Sequence, residues 1–270
     1  MVDLIAEIGW NHMGDINLAE KMVVAAKSAG ATHAKFQTWH EKNLKEGPWD
    51  LDGRKEIYKK AELSLSDFLN LKMICESNDI KFLTSIFSRT DIHDMAKIYD
   101  KEIKIPSHEI YNTDLIDECC RYFDKLYVST GASKEDELKK IVKILRDSGK
   151  EFVLMHCVSS YPCPDENVNL PRINHLKKFH NKVGFSDHTP DIQASIYSLS
   201  YGVEVIEKHF TIDNDLPGRD NKFALLPKKL NEIYLNIERF KKMKIDHGID
   251  YQECESETVK VYRGRWSKDL

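Results

Sequence analysis

Residues 125–157 read KLYVSTGASKEDELKKIVKILRDSGKEFVLMHC. Two short β-type runs, 125–130 and 152–157, flank a segment with a different period. Within that segment Leu138, Ile141, Val142 and Leu145 recur at helical spacing. Ser133 stands before Lys134-Glu135-Asp136-Glu137. This predicts a serine N-cap followed by acidic residues in the first turn, where the helix dipole favours them. Gly149 is a natural C-terminal stop. A strand, a helix and another strand so close together predict a parallel pair, because the crossover is the helix.

The same unit recurs in both directions. Further strands are expected at 4–8, 33–38, 81–85, 102–107, 182–187 and 203–210. Helices are expected at 18–29, 66–78, 90–99, 114–123, 134–148, 170–179, 193–201 and 227–242, with Gly30 and Gly202 ending two of them. Eight such units in 270 residues match a (β/α)8 TIM barrel. A doubly wound sheet would want a Gly-rich phosphate turn after the first strand. Gly9-Trp10-Asn11-His12-Met13-Gly14 does not have that spacing. The barrel is assigned to 1–246 and a C-terminal tail to 247–270. The connection 39–65 is unusually long, with a turn at Gly47-Pro48-Trp49 and a short helix expected at 57–63. Loops of that length are commonly functional, so it is a candidate cover for the site.

Hydrophobic residues make up 41% and charged residues 31%, with a formal net charge of -4. No basic block marks a nucleic-acid face, and no apolar run has the length of a membrane span. An anionic substrate would therefore need a local cluster of cations. The six cysteines form no C-x-x-C pair and fall mostly in apolar runs. They read as reduced packing residues of a cytoplasmic protein. The N-terminus enters a strand without the features of a signal peptide.

In a barrel the ligand site lies at the C-terminal ends of the strands. Here those ends carry Glu7, Asn11, His12, Lys35, Gln37, Thr84, Ser85, Lys104, Ser107, Glu109, Ser129, Thr130, Ser159, Ser160, Tyr161, Ser186, Asp187, His188 and His209, with Asp220 in the following loop. A single polar residue at a strand end is commonly a cap or a loop anchor. Lysines in apolar strands say more, because a buried ammonium needs an anionic partner. An internal ion pair of Lys35 or Lys104 with Glu7 or Glu109 would supply one, and a bound anion is the alternative. Two cations with several hydroxyls form a cradle for a phosphate and a carboxylate. His188 and His209 end neighbouring strands. As neutral imidazoles they could hold a divalent metal, or they could be two unrelated hydrogen-bonded histidines.

These segments together resemble the sialic acid synthase family, the N-acetylneuraminate synthases and relatives that make other nonulosonic acids. The resemblance runs through Ala6-Glu7-Ile8-Gly9-x-Asn11-His12-x-Gly14, Lys35-x-Gln37, Lys104-Ile105-x-Ser107-x-Glu109 and Ser129-Thr130-Gly131. It continues through His156-Cys157-Val158-Ser159-x-Tyr161-Pro162, Ser186-Asp187-His188-Thr189, Glu207-Lys208-His209-Phe210-Thr211 and Gly218-x-Asp220. It implies a barrel that condenses phosphoenolpyruvate with an open-chain aldose, N-acetylmannosamine or a relative. It places phosphoenolpyruvate contacts on Lys35, Ser85, Lys104, Ser107, Ser129, Ser159 and Ser186. It places the metal, Mn2+ or Mg2+, on His188 and His209. Sugar contacts fall on Glu7, Gln37, Tyr161 and Asp220, with Glu109 near the reacting carbons. Glu109, Lys104 and Glu7 are the catalytic candidates.

The sequence also departs from the family's pattern. Ser85-Ile86-Phe87 stands where Thr-Pro-Phe is common, and His108 where a small residue is common. Arg219 and Asn221 flank Asp220 in place of Pro and His. The run Arg263-Gly264-Arg265-Trp266-Ser267-Lys268-Asp269-Leu270 resembles the linker into a small antifreeze-like domain. In typical members that domain crosses a swapped dimer and gives the partner's site an arginine. A homodimer without the swapped domain is the expectation here. Three rival readings share the barrel: a synthase acting on a phosphorylated aldose, with a basic pocket from Arg54, Lys55 or Arg219; a Schiff-base aldolase using Lys104 or Lys208; and a non-catalytic sugar-binding barrel.

Overall fold

The computed structural model describes residues 2–266. The end of the linker-like run, 267–270, lies outside the described residues, as does Met1. Eight strands close into one barrel in chain order. They are β1 (Asp3–Gly9), β2 (His33–Thr38), β3 (Lys81–Ile86), β4 (Glu102–Ile105), β5 (Lys125–Ser129), β6 (Glu151–His156), β7 (Val183–Asp187) and β8 (Val205–His209). Every neighbouring pair is parallel, and β8 closes back onto β1. The helices are α1 (Ile16–Ser28), α2 (Arg54–Ala61), α3 (Leu65–Ser77), α4 (Ile92–Ile98), α5 (Thr113–Tyr122), α6 (Glu135–Asp147), α7 (Arg172–Lys177), α8 (Gln193–Ser198) and α9 (Pro227–Met243). The eight expected helices correspond to these, with α2 lying inside the long connection. No helix among the described residues is long and apolar enough to cross a membrane.

Strand side chains alternate between the lumen and the surrounding helices. The outward set packs with the helices in one large apolar core that includes Leu4, Ala6, Ile8, Phe36, Phe82, Val128, Leu154 and Ile206. Full burial of a side chain such as Leu or Phe contributes about 1.5–3 kcal/mol. The inward set forms a smaller, separate cluster of Ile5, Leu83, Tyr127, Val153, Met155 and Val205. Gly184 belongs to this layer for a steric reason. A Cβ there would lie 2.2 Å from Met155 Sδ, so the thioether occupies the space a side chain would need. The lumen is thus plugged at mid-height, and polar residues lie above and below the plug.

Several boundaries differ from expectation. The fourth strand stops at Ile105, because Ser107–Glu109 winds into a 3-10 turn. The eighth begins at Val205 and ends at His209. Lys134, not Ser133, is the N-cap of α6. Its backbone N–H donates to the Glu137 carboxylate at 2.7 Å, while Ser133 Oγ turns back to donate to the Thr130 carbonyl at 2.9 Å. The helix in the long connection starts and stops earlier than expected. Glu62 is extended there (φ -58°, ψ 136°), and its carboxylate accepts from the Glu41 backbone N–H at 2.9 Å and contacts His40 Nδ1 at 2.7 Å. Binding the start of the loop pulls Glu62 out of the helix. Beyond Met243 the described chain is almost wholly exposed, with short helical turns at Glu253–Glu255 and Thr258–Tyr262.

Candidate active site

The C-terminal mouth of the barrel opens into a cleft of about 720 Å³. Its floor is a ring of inward side chains just above the apolar plug. Lys35 on β2 lies 2.7 Å from Glu7 Oε2 on β1 and donates to Ser85 Oγ on β3 at 2.8 Å. Glu7 Oε1 accepts from Gln37 Nε2 at 2.7 Å. Across the floor, Lys104 Nζ donates to Glu207 Oε2 on β8 at 2.7 Å, and Ser186 Oγ on β7 donates to Glu207 Oε1 at 2.8 Å. Lys35 Nζ stands 3.9 Å from the same Glu207 carboxylate, joining the two pairs. Burial would raise the Glu207 carboxyl. The charges of Lys104 and Lys35 and the hydrogen bonds from Lys104 and Ser186 outweigh it and hold the group far below the ordinary carboxylate range. Each ammonium has three donors. Lys104 makes one hydrogen bond here, so donor capacity remains for an anion entering the cleft.

Ser129 and Cys157 complete the floor, and Ser107 lines the wall above it. Ser159 does not line the cleft. It is exposed, with its hydroxyl 2.8 Å from that of Ser107. Gly131 keeps this corner open: a Cβ there would lie 2.6 Å from both Cys157 Sγ and Ser159 Oγ. Glu109 faces the cleft and accepts from Asn112 Nδ2 at 3.3 Å.

Two histidines stand higher on the opposite side. His188 follows β7 and His209 ends β8, with ring centroids 5.7 Å apart. His188 Nδ1 is 2.7 Å from the Val158 carbonyl, a contact that requires the proton on Nδ1 and leaves Nε2 as a lone-pair donor. Burial, then the neighbouring His209 charge, pushes the His188 pKa down to about 3. The imidazole is therefore neutral at physiological pH. His209 Nδ1 is buried without a hydrogen-bond partner, and Asp220 Oδ2 stands 3.7 Å away. Asp220 is held by Trp10 Nε1, which donates to the same oxygen at 2.7 Å. Among the described residues no three His, Cys, Asp or Glu side chains gather as a ready-made metal cage. The two imidazoles, one a fixed tautomer and one with an orphaned nitrogen, fit a cation that takes its remaining ligands from water or substrate.

The outer wall is aromatic. Trp10 stacks on Tyr58 of α2 at 5.1 Å, and Trp39 meets Tyr58 edge-on at 5.5 Å. Tyr161 packs against His188 at 4.1 Å. The 39–65 connection supplies much of this wall, including Trp39, His40, Lys45 and Trp49. Arg219 and Asp220 close the rim from the loop after β8.

The cleft brings together Glu7, Lys35, Gln37, Ser85, Lys104, Ser107, Glu109, Ser129, Tyr161, Ser186, His188, His209 and Asp220. Other strand-end candidates serve the scaffold. Asn11 Nδ2 donates to the Phe210 carbonyl, and His12 Nδ1 accepts from the Gly14 backbone. Lys104 pairs with Glu207 rather than with Glu7 or Glu109. Lys208 leaves the list of candidate nucleophiles. Burial lowers its pKa against the opposing Asp187 charge, which superficially suits a Schiff base. Its ammonium, however, lies outside the lumen against Asp187 and Thr189. Arg54 and Lys55 do not line the cleft and pair instead with Asp52 and with Asp50 and Glu41. Glu207 was missed as a floor residue. Its signal is the two-residue spacing from His209, which puts both on the lumen face. The adjacent Glu207-Lys208 pair reads instead as an ordinary surface couple.

A model of the NeuB family matches residues 22–248. The chain belongs to the NeuB family. An uncharacterised protein of Methanocaldococcus jannaschii is 35% identical over 246 residues, 89% of this chain and 71% of that one. The N,N'-diacetyllegionaminic acid synthase of Campylobacter jejuni is 32% identical over 275 residues, covering 96% and 82%. The N-acetylneuraminic acid synthetase of Leptospira borgpetersenii, solved with citrate, superposes with a TM-score of 0.87 at 31% identity, covering 99% of this chain and 93% of that one. The expected enzyme class for this NeuB-family chain, a phosphoenolpyruvate-dependent sugar acid synthase, follows from that membership.

Proposed function

We propose that the cleft condenses phosphoenolpyruvate with an open-chain N-acetylmannosamine-like aldose, giving a 2-keto-3-deoxy sugar acid and inorganic phosphate. One observation carries the reading. Two buried lysines and several hydroxyls share the floor of a cleft whose opposite side holds two inward histidines. Lys35, Lys104, Ser85, Ser129 and Ser186 would hold the phosphate and carboxylate through charge-assisted hydrogen bonds. Ser107, hydrogen-bonded to Ser159, would extend that contact. His188 and His209 would hold Mn2+ or Mg2+, which supplies Lewis-acid polarisation of an aldehyde oxygen when bound. Gln37, Tyr161 and Asp220 would orient the sugar chain beside the aromatic wall.

Carbon 3 of the enol forms a bond to the aldehyde carbon, and positive charge develops at carbon 2. Water adds at carbon 2, and the adduct expels phosphate with its bridging oxygen, leaving the ketone. Glu109, facing the cleft, would stabilise that cationic carbon or take the proton of the entering water. Glu7, between Lys35 and Gln37, links the phosphate and sugar ends. A phosphorylated acceptor is the second reading. Arg219 favours it, as a rim cation with no ion pair among the described residues.

A phosphate-release screen with phosphoenolpyruvate, Mn2+ and paired phosphorylated and free aldoses separates these readings. Turnover on a free N-acylated aldose supports the first, and turnover only on the phosphorylated partner replaces it. Binding without turnover on any aldose points to a non-catalytic barrel. His188→Ala and His209→Ala should abolish release, and full activity in both contradicts the metal assignment. With oxygen-18 in the bridging position, the label should leave with phosphate. Label retained in the sugar acid rules out cleavage of the carbon–oxygen bond.

A further inference from the structure

The register of β7 and β8 stacks three pairs at the barrel mouth. Ser186 pairs with Glu207 facing the lumen, and Asp187 pairs with Lys208 facing outward. His188 and His209 come next, again on the lumen side. The middle pair is fully buried, with side-chain exposures of 0% for Asp187 and 2% for Lys208. Asp187 Oδ2 lies 3.0 Å from Lys208 Nζ and accepts from Ser195 Oγ of α8 at 2.6 Å. Asp187 Oδ1 accepts from both the backbone N–H and the hydroxyl of Thr189, each at 2.8 Å. Lys208 Nζ donates to the Thr189 carbonyl at 2.6 Å and reaches Thr189 Oγ1 at 3.2 Å. The pair, with its Thr189 and Ser195 partners, therefore fixes Asp187 and Thr189, the two chain neighbours of His188.

Well-packed apolar side chains of similar volume often match or exceed the stability of a buried ion pair. What it adds here is geometry. It ties the turn carrying His188 to the strand carrying His209, and α8 locks it from behind. We propose that Asp187 and Lys208 are positioning residues that set the spacing and direction of the two imidazoles for the cation. This inference rests on the metal reading of the site. Neither side chain touches the cleft, so the effect passes through the His188 turn, in the way outer-shell partners orient metal ligands.

The test titrates Mn2+ calorimetrically into the full chain, with metal-free phosphoenolpyruvate affinity and a circular dichroism melt as controls. Lys208→Met alone leaves a buried unpaired carboxylate and is at risk of misfolding. The decisive variant is therefore the double change Asp187→Leu and Lys208→Met, which removes both charges. It should fold, bind phosphoenolpyruvate like the unaltered chain and lose Mn2+ affinity by about 10–100-fold. A folded double variant with Mn2+ affinity within about twofold of the unaltered chain overturns the proposal. His188→Ala separates the layers of the argument. If it abolishes Mn2+ binding while the double variant does not, only the positioning role fails. If it leaves binding unchanged, the metal reading fails and the positioning role with it.

Discussion

The two ends of the barrel lumen are both charged, yet only the C-terminal one opens into the cleft. At the C-terminal end Glu7, Lys35, Lys104 and Glu207 face a cleft of about 720 Å³. At the N-terminal end His33 and Glu102 are sealed below the apolar plug. His33 Nε2 lies 2.9 Å from Glu102 Oε2, and His33 Nδ1 lies 2.7 Å from Thr32 Oγ1. Tyr127 donates its hydroxyl to Glu102 Oε1 at 3.2 Å, and Lys81 and Lys125 stand 3.5 and 3.6 Å from that oxygen. Both imidazole nitrogens of His33 and both carboxylate oxygens of Glu102 have partners. Above, among the described residues, His209 Nδ1 has none and Lys104 makes one hydrogen bond. Buried charge does not by itself distinguish a working site from a structural plug. What sets the upper cluster apart is unused hydrogen-bonding capacity on residues that line a cleft.

The largest effect should come from breaking the upper cluster. Lys104→Met removes a cation from the floor and should lower kcat/KM by about 10²–10³-fold, the range for losing one preorganised charge-stabilising donor. Phosphate-release kinetics check this, and a loss under about tenfold would move Lys104 from the reaction to the scaffold.

The complementary change below the plug is Glu102→Gln. It leaves His33 and two lysines short of a carboxylate, so stability should fall by about 3 kcal/mol, as for breaking a buried pair. At a temperature where the variant is folded, kcat/KM should stay within about twofold. Urea unfolding and the same kinetic assay decide it, and a large kinetic loss would show that the lower end reports on the cleft.

The same carboxyl predicts a pH dependence. Burial would raise its pKa, but the hydrogen bond and charge of His33 and the charges of Lys81 and Lys125 bring it down to about 2. A carboxyl depressed in the folded state binds fewer protons there than in the unfolded chain. Its stabilisation is fully present above the ordinary carboxylate value and is lost as pH falls toward about 2. The stability difference between the unaltered chain and Glu102→Gln should therefore shrink across that window. A constant difference would mean the pair does not carry it. The smallest effect belongs to Tyr127→Phe, which removes one neutral donor from Glu102 and should cost about 1 kcal/mol without kinetic consequence.

The sequence carried the barrel because its signals are local and repeated. Strand and helix periods alternate from β1 to α9, and each helix calls for a parallel crossover. The lumen residues were legible where a lysine sat among apolar strand residues, as with Lys35 between Ala34 and Phe36 and Lys104 between Ile103 and Ile105. Glu207 was not, because its lysine neighbour hides which face it takes, and only closure of β8 onto β1 brings it near Lys35. Which partner Lys104 takes is likewise a question of closure. Ser133 failed as a cap because its hydroxyl had a nearer acceptor at the end of β5. The aromatic wall of Trp10, Trp39 and Tyr58 joins residues from two loops, a contact no periodicity reveals.

The difference between the two ends is tested most directly by phosphoenolpyruvate binding without turnover. Calorimetric titration would compare the unaltered chain with Lys104→Met and Glu102→Gln, with no aldose present. A loss of affinity of at least about tenfold in Lys104→Met, about 1.4 kcal/mol, with unchanged affinity in Glu102→Gln, is the result predicted here. Equal affinity in Lys104→Met and the unaltered chain would contradict it, because the upper charges would then be as structural as the lower ones.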